Sequence, residues 1–351
     1  MSLESQIISA LKTLVDPLSG QDIVTCGALQ GLNITSSGTV SFALEVNTEH
    51  MHEGIKIKEK ATSLLEKIPG VMGVQIALTA QRKAKAHNPS AKRIQGIKYV
   101  IVVGSGKGGV GKSTTAVNLA CSLQLLNLKV GILDADIYGP SLPKLLGINQ
   151  KPTSDDGSFI NPLEAHGLKC MSLGFMIDEK MPTIWRGPMV QKALHQMLRQ
   201  VKWGDLDVLV IDLPPGTGDV HLTLAQTTVL SGAIIVSTPQ DLALIDARKG
   251  LEMFLKVNVP ILGLVENMSY FLCPHCQTRS EIFEHGGMQK EAQVFGVPLL
   301  AEIPLHMAIR EASEKGRPLV LSSSPSLEGS AYLKLGQRVW ASLCSSNDVL
   351  I

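Results

Sequence analysis

The sequence of 351 residues has few aromatic side chains, almost no net charge and no long apolar run. Phe, Trp and Tyr make up 4% of the chain, and its formal net charge is +1 at pH 7. A near-neutral chain gives no electrostatic reason to expect nucleic acid or an anionic membrane as a partner. No run approaches the roughly 20 apolar residues that a membrane span needs. We therefore expect no nucleic-acid partner and no membrane partner.

The first residues also lack the pattern of a signal peptide. Met1–Val15 is amphipathic and contains Glu4 and Lys12, so no basic segment is followed by an uninterrupted apolar one. We therefore predict a soluble protein of the cytoplasm. In that compartment a disulfide framework is not expected. Four of the six cysteines stand singly in apolar or small-residue surroundings and are interpreted as reduced thiols: Cys26, Cys121, Cys170 and Cys344.

Apolar residues make up 44% of the chain, which is ample for a core, and the length suggests two domains. Residues 1–80 have the pattern of a small α+β domain of order αββαβ. The predicted elements are a helix at Glu4–Val15, β-rich runs at Ile23–Ile34 and Thr39–Val46, a helix at Glu53–Ile68 and a strand at Val71–Leu78.

Residues 81–97 are basic and polar, and no aromatic residue lies between the charges. A nucleic-acid patch is one interpretation of this segment. Single-stranded nucleic acid is usually held by aromatic stacking as well as by charge. A solvated linker between two domains is therefore the better interpretation.

Residues 98–345 alternate short apolar runs with helical stretches, which predicts an α/β domain with a mostly parallel sheet covered by helices on both faces. In such sheets ligands bind beyond the carboxyl ends of the strands. The predicted strands are Tyr99–Val103, Lys129–Leu133, Val208–Leu213, Ala233–Ser237, Ile261–Glu266 and Leu299–Ile303.

A glycine-rich loop follows the first of these strands and opens a helix that ends near Leu126. Glycines allow positive φ and bring N–H groups against phosphate oxygens, and the new helix points free N–H groups at the same anion. Lys112 can reach the β- and γ-phosphates, and the Ser113 hydroxyl can bind Mg²⁺. The spacing predicts ATP binding. The candidate nucleotide-binding residues are Gly106, Lys107, Gly108, Gly109, Val110, Gly111, Lys112, Ser113 and Thr114.

Carboxylates follow two further strands. Asp134 and Asp136 lie two residues apart, so both point to the same side, where one can orient a water molecule and the other can hold Mg²⁺ through water. Asp212 ends an apolar strand and is a second candidate for the water-mediated Mg²⁺ ligand. A stiff turn at Pro214–Gly216 can place the Gly216 N–H near the γ-phosphate. Asp134 and Asp136 could each instead cap a helix or form an Asx-turn.

Asn267 follows the predicted strand Ile261–Glu266. Its amide could hydrogen-bond the adenine edge, or it could simply stabilise a turn.

Cys273 and Cys276 have the spacing of a metal knuckle. Zinc and iron–sulfur sites usually take four ligands, and the chain offers only these two thiolates close together. One possibility is that His275 and His285 complete a zinc site within one chain. The other is that two chains contribute two cysteines each to one [4Fe-4S] cluster.

Five motifs together resemble the Mrp/ApbC family of iron–sulfur cluster carrier ATPases, over about residues 96–345. They are Lys107–Ser113, Asp134–Ser141, Asp212–Asp219, Glu266–Ser269 and Cys273–Cys276 with His285-Gly-Gly. The loop Lys107–Ser113 also resembles the deviant phosphate loop of the MinD/ParA and nitrogenase iron-protein class. The first 80 residues resemble a small domain shared with other iron–sulfur assembly factors.

The resemblance implies a homodimeric ATPase that carries a labile [4Fe-4S] cluster to apo iron–sulfur proteins. It implies that Lys107 reaches the partner's nucleotide and that Asp136 positions the attacking water. It also implies that Cys273 and Cys276 of each chain bind the cluster. Some relatives have a cysteine after the second strand of the small domain. Asn47–His52 has none, so no cluster is assigned to that domain.

Two other functions fit the phosphate loop. A MinD/ParA-like positioning ATPase would act on a membrane or on DNA. Ala341–Ile351 contains no Lys or Arg and would make a poor membrane anchor. A metabolic ATPase with a structural zinc knuckle is the other alternative.

Overall fold

The computed structural model describes residues 3–15, 22–25, 29–35, 38–47, 51–81, 91–155, 157–176, 187–276, 278–322 and 326–345. The chain divides into two compact units, made chiefly of residues 1–85 and of residues 86–351. The boundaries expected at residues 80 and 98 stay predictions. Cys26, much of the basic segment 81–97, part of Asn47–His52 and residues 346–351 lie outside the described residues.

The first unit has the predicted order αββαβ. Its elements are α1 (Leu3–Leu11), β1 (Leu29–Ile34), β2 (Thr39–Asn47), α2 (Met51–Leu65) and β3 (Gly73–Gln81). β2 pairs antiparallel with β1 and parallel with β3. Apolar side chains from both helices and from the sheet, among them Ile7, Leu11, Phe42 and Leu65, form its core.

The strands of the second unit are β4 (Ile97–Gly104), β5 (Val130–Asp134), β6 (Leu163–Ala165), β7 (Leu168–Ser172), β8 (Leu206–Asp212), β9 (Gly232–Ser237), β10 (Ile261–Leu272), β11 (Arg279–Ser280) and β12 (Leu299–Leu305). They form one sheet of order β11-β10-β9-β4-β8-β5-β7-β6, with β12 paired to β10. The pairs of β6 with β7 and of β10 with β11 are antiparallel, and the others are parallel.

The helices of this unit are α3 (Lys112–Leu125), α4 (Leu142–Leu146), α5 (Gly187–Arg199), α6 (Asp219–Thr227), α7 (Asp241–Lys256), α8 (Gly287–Phe295), α9 (Met307–Glu314) and α10 (Leu327–Ser345). β5 and β9 are buried at every position. Because successive side chains of a strand point to opposite faces, both faces of the sheet are covered there. The predicted α/β fold class is confirmed.

One difference from the predicted elements concerns β10, which was expected to end at Glu266. It continues to Leu272, where Phe271 and Leu272 pair with β11. The polar residues from Glu266 to Ser269 interrupt the apolar run, and Met268 has a φ of 54°. The chain bends at this point without leaving the sheet, because β12 pairs with both sides of the bend.

Among the described residues, no helix is both long enough and apolar enough to cross a membrane. Cys121 and Cys170 are buried in the second unit, as expected of core thiols, and Cys344 is exposed. Burial raises the pKa of Cys121 and that of Cys170, the latter to about 12.

Candidate functional site

The glycine-rich loop lies between β4 and α3 and adopts a backbone that only glycine fits well. Gly109 and Gly111 both have a φ of +81°. A Cβ atom on Gly106 would overlap the backbone of Asp246 in α7. The loop is therefore pressed against α7 at one end and held in left-handed conformation further along.

The beginning of α3 is free to receive an anion. Gly111 is its N-cap residue, and no side chain caps the helix there. The first N–H groups of a helix have no partner within the helix, and they carry its positive dipole end. The glycine backbone and the uncapped helix together fit a phosphate group.

Lys112 and Asp212 form a buried ion pair beside this helix start. Lys112 Nζ lies 2.7 Å from Asp212 Oδ1, and the two side chains are 6% and 0% exposed. The Lys112 ammonium also donates to Ser113 Oγ at 3.1 Å. Burial raises the pKa of Asp212, and the neighbouring lysine opposes that shift. The other carboxylate oxygen, Oδ2, is buried and accepts no hydrogen bond.

That unsatisfied oxygen and the Ser113 hydroxyl are suited to a hydrated Mg²⁺ ion, which prefers oxygen ligands and keeps several of its waters. Asp212 ends β8 next to β4, so the sheet itself places this carboxylate beside the phosphate loop. The residues present therefore fit the metal predicted from the sequence.

Asp134 stabilises its own loop through hydrogen bonds to both carboxylate oxygens. Its carboxylate accepts hydrogen bonds from the backbone N–H groups of Asp136, Ser141 and Leu142 and from the Ser172 hydroxyl. Burial and the nearby Asp212 carboxylate raise the pKa of Asp134 to about 7. The capping role, which the sequence left open for this residue, is the one that the geometry supports.

Asp136 is the more accessible carboxylate of the two. It is half-buried, and its Oδ1 accepts one backbone N–H bond, from Gly139 at 3.2 Å. Burial raises the pKa of Asp136, while the positive charge of Lys112 opposes the shift. Of the pair, Asp136 keeps the capacity to accept a hydrogen bond from a water molecule.

One neighbouring group, the Gly216 N–H, differs from what the sequence suggested, and a buried histidine lies nearby in sequence. The Gly216 N–H, expected near the γ-phosphate, donates to the Ser105 carbonyl at 2.8 Å. This donor is therefore already used within the loop region. His221 in α6 is buried, and neither ring nitrogen has a hydrogen-bond partner. Burial lowers the pKa of His221 to about 4.

Asn267 contacts the phosphate loop directly. Its Nδ2 donates to the Val110 carbonyl at 2.8 Å, and the residue is 6% exposed. The sequence pattern suggested an adenine contact, and it did not reveal this bond because Val110 and Asn267 are distant in the chain. Gly111 must be glycine here as well, since a Cβ atom would overlap the Asn267 amide.

Cys273 and Cys276 lie in the turn between β10 and β11, which we call the cysteine turn (Cys273–Thr278). The Cys273 N–H donates to the Thr278 carbonyl at 3.0 Å, and the Cys276 thiol donates to Thr278 Oγ1 at 3.1 Å. Hydrogen bonds from Thr278, and then from Cys273, lower the pKa of Cys276. Cys273 is half-buried and Cys276 is exposed.

The single-chain zinc site considered from the sequence is not assembled. In the described part of the chain, the group of three or more donors close enough to share a metal is Glu266, His285 and Glu302. It includes neither cysteine. The His285 ring instead lies 3.1 Å from Ser269 Oγ and 3.5 Å from Glu266 Oε1.

Comparison with known proteins decides the family. Residues 96–340 match the family model described as ParA, the NUBPL iron-transfer P-loop NTPase. The chain belongs to this family. The resemblance inferred from the motifs is thereby confirmed. Residues 4–77 match a second model, described as an iron–sulfur cluster assembly protein.

Relatives of the family are similar over most of their length. The chain is 47% identical to the iron–sulfur cluster carrier protein of Escherichia coli K12, over 84% of this chain and 80% of that protein. It is 50% identical to the iron–sulfur cluster transfer protein NUBPL of Mus musculus, over 79% of this chain and 88% of that protein.

A solved structure of a nucleotide-binding protein from Archaeoglobus fulgidus, in complex with ADP, is also similar. Its identity is 38% and its TM-score is 0.58, with 67% of this chain and 96% of that chain covered. The phosphate loop described above lies in the part of the chain that the family model matches.

Proposed function

We propose that this protein is an ATP-dependent iron–sulfur cluster carrier. It binds and slowly hydrolyses ATP, holds a labile [4Fe-4S] cluster between two identical subunits and transfers the cluster to apo iron–sulfur proteins. The names of the relatives from E. coli and mouse, a cluster carrier and a cluster transfer protein, support this assignment.

The observation that carries the proposal is the cysteine turn. It presents two thiols close together at the surface, and the pKa of Cys276 is lowered, which favours the thiolate that binds metal. A cubane cluster takes four thiolates in its usual form. Two such turns, one from each subunit, supply that set.

Each residue of the phosphate site has a proposed task in ATP binding and hydrolysis. Lys112 leaves Asp212 to bind the β- and γ-phosphates. Ser113 would hold Mg²⁺, with Asp212 holding it through water, and the bound ion would supply positive charge to offset the charge that develops on the phosphate oxygens. Asp136 orients the water whose oxygen bonds to the γ-phosphorus while the bond from that phosphorus to the β–γ bridging oxygen breaks, so that ADP and inorganic phosphate are the products. Asn267 stands close enough to the loop to contact the nucleotide as well.

Lys107 supports the homodimer. Its side chain is exposed, and it forms no ion pair within the described part of the chain. An exposed loop lysine without an ion pair among the described residues is available to the nucleotide of a second subunit. ATP would then hold the two subunits together and bring the two cysteine turns into one site.

The cargo and its recipients follow from this arrangement. The cluster is the substrate that the protein hands over, and apo iron–sulfur proteins are the recipients. Neither nucleic acid nor a membrane is a proposed partner. A cytoplasmic location stays a prediction, and the name of a similar protein of Arabidopsis thaliana assigns that protein to the mitochondrion.

Metal and sulfide analysis tests the proposal. Wild type reconstituted anaerobically with iron and sulfide should contain about four irons and four sulfides per two chains, as a single cubane cluster requires. The double variant Cys273→Ala/Cys276→Ala should contain none, whereas Cys344→Ala, which removes another exposed thiol, should load like wild type. Zinc bound to wild type in place of a cluster would support the structural-knuckle alternative and contradict the proposal.

A further inference from the structure

A single strand, β10, contacts the phosphate loop and also leads directly into the cysteine turn. Asn267 in this strand donates to the Val110 carbonyl of the phosphate loop at 2.8 Å. Five residues later β10 ends at Leu272, and the cysteine turn begins with the next residue. A displacement of β10 between these points would therefore move the cysteine turn.

The residues next to Asn267 form a hydrogen-bonded network on the same strand. Glu266 is fully buried, and its carboxylate accepts from the Ser269 hydroxyl at 2.6 Å, from the Gly286 N–H at 3.2 Å and from the Met288 N–H at 2.9 Å. The carboxylate thus joins β10 to the beginning of α8.

His285 extends this network toward the cysteine turn. Because the Ser269 hydroxyl gives its one proton to Glu266, the serine oxygen must accept from His285 Nδ1, 3.1 Å away. This tautomer is assigned from the hydrogen-bond network. Arg279 Nη2 lies 3.2 Å from Nδ1 and 3.1 Å from Nε2 of the same ring, so the guanidinium contacts the face of the imidazole.

Arg279 belongs to β11 and closes the cysteine turn. It pairs with Leu272 in the strand register, and its guanidinium lies 4.2 Å from the centroid of the Tyr270 ring. The relay therefore runs from Arg279 to His285 by contact of the guanidinium with the ring, and from His285 through Ser269 to Glu266 by hydrogen bonds. Glu266 is the immediate chain neighbour of Asn267.

Met268 lies between the phosphate-loop contact and this relay, and its φ is 54°. A left-handed backbone at a residue other than glycine is strained and persists when the surroundings hold it in place. The contacts of Asn267 on one side and of Ser269 on the other hold this residue. Loss or movement of either contact would let the bend relax.

We propose that the bent segment Glu266–Ser269 transmits the state of the phosphate loop to the cysteine turn, with Ser269 and His285 as the positioning residues that hold the turn. This inference rests on the proposed function. Lys112 must release Asp212 to bind phosphate, and the loop carrying Val110 moves with it. Asn267 follows the Val110 carbonyl, and the relay carries the movement to Arg279.

Coupling of this kind is reciprocal: if ATP changes how the cluster is held, the cluster changes the affinity for ATP by the same factor. The dissociation constant of a non-hydrolysable ATP analogue is measured on the apo-protein and on the cluster-loaded protein. For wild type the two constants should differ by about five-fold or more. For Ser269→Ala and His285→Gln the ratio should fall to one, while the constant of the apo-protein stays that of wild type.

His195→Gln is the matched control, because His195 is an exposed histidine of α5 outside the relay. It should keep the wild-type ratio. If both relay variants lose the cluster while their apo-protein binds the analogue normally, the positioning role is supported, because the turn is then no longer held. Thermal melting separates this result from misfolding, and Ser269→Ala, which removes one oxygen atom, keeps the test valid if His285→Gln does not fold.

Three results would overturn the inference, and they are distinguishable. Equal constants for apo and loaded wild type exclude the coupling and leave the carrier function standing. If Ser269→Ala and His285→Gln keep both the cluster and the wild-type ratio of dissociation constants, coupling through these two residues is excluded. A wild type that takes up no cluster at all removes the proposed function, and the inference with it.

Discussion

The phosphate site and the cysteine turn differ in how much of each is built by one chain. The phosphate site has a glycine backbone pressed against α7, an uncapped helix start and a fully buried ion pair between Lys112 and Asp212. The cysteine turn has two accessible thiols at the end of a short hairpin. The buried groups of the phosphate site all come from one chain, whereas the cysteine turn supplies half of the ligand set proposed for the cluster.

Because of this difference, we expect the groups that stabilise a single chain and the groups that act between two chains to lie in different sites. Removal of a buried charged or close-packed group leaves its neighbours without partners, whereas an exposed group can be replaced by water. Substitutions of the buried or close-packed groups of the phosphate site should therefore lower the free energy of unfolding of a single chain. Substitutions in the cysteine turn should affect only what two chains do together.

The largest effect is expected for Lys112→Met. The substitution leaves the buried carboxylate of Asp212 without its counter-charge, and breaking a buried pair in this way costs about 3–5 kcal/mol. Urea denaturation of the apo-protein measures the loss. The double variant Lys112→Met/Asp212→Asn should recover most of it, because no unpaired charge remains. Equal destabilisation of the single and double variants would show that the pair is not the cause.

Acid should destabilise the second unit through His221. Burial lowers its pKa in the folded state from 6.5 to about 4. The neutral ring is favoured in the folded state, so the contribution to stability is complete above pH 6.5 and is lost as the pH falls toward 4. The shift corresponds to about 3 kcal/mol at most, at 1.36 kcal/mol per pKa unit.

The measurement is the free energy of unfolding of wild type and of His221→Gln at pH 7 and pH 5. The variant should lose less stability than wild type over this interval. Asp134 shifts in the opposite direction, so only the difference between the two proteins isolates His221. An identical pH dependence of the two proteins would contradict the assignment.

Gly106→Ala should destabilise the chain by about 1–3 kcal/mol, the usual range for overpacking. Its Cβ atom would overlap the backbone of Asp246, which cannot move aside as a side chain can. Gly108→Ala is the matched control, since the nearest atom to a Cβ there is Pro215 Cγ at 4.0 Å. Thermal unfolding of the two apo-proteins compares them, and equal melting temperatures would argue against the close contact with α7.

The smallest effect on stability is expected for exposed groups. Lys107→Ala and Cys273→Ala/Cys276→Ala should each change the free energy of unfolding by less than about 0.5 kcal/mol, as is usual for surface positions. Lys107→Ala should nevertheless lose ATP-dependent dimerisation in sedimentation velocity, while the exposed control Lys192→Ala keeps it. Dimerisation of Lys107→Ala equal to that of the control would contradict the role assigned to this lysine.

The sequence predicted the parts of the site that depend on local spacing. The glycines from 106 to 111 and the helix after them form one continuous segment, so their pattern already indicated a phosphate loop. Asp212 was predictable as well, because a carboxylate at the end of a buried strand is placed by the parallel sheet. The two-cysteine spacing indicated a metal knuckle; the structure places both thiols in one turn, and metal binding stays a prediction.

Contacts between distant segments could not be predicted in this way. Three features of the site join residues from different elements. They are the hydrogen bond from Asn267 to Val110, the close approach of Asp246 that requires glycine at position 106, and the relay from Arg279 to Glu266. The continuation of β10 beyond Glu266 was missed because polar residues with buried partners look like the end of a strand. Such residues are recognised only when their partners are known.

The central claim is that one cluster is shared by two chains. Native mass spectrometry of the anaerobically reconstituted protein tests it directly, because it counts chains and metal in the same ion. We predict a species of two chains with one [4Fe-4S] cluster, which is absent from Cys273→Ala/Cys276→Ala. A single chain that carries a complete cluster, or a pair of chains that carries two, would contradict the claim.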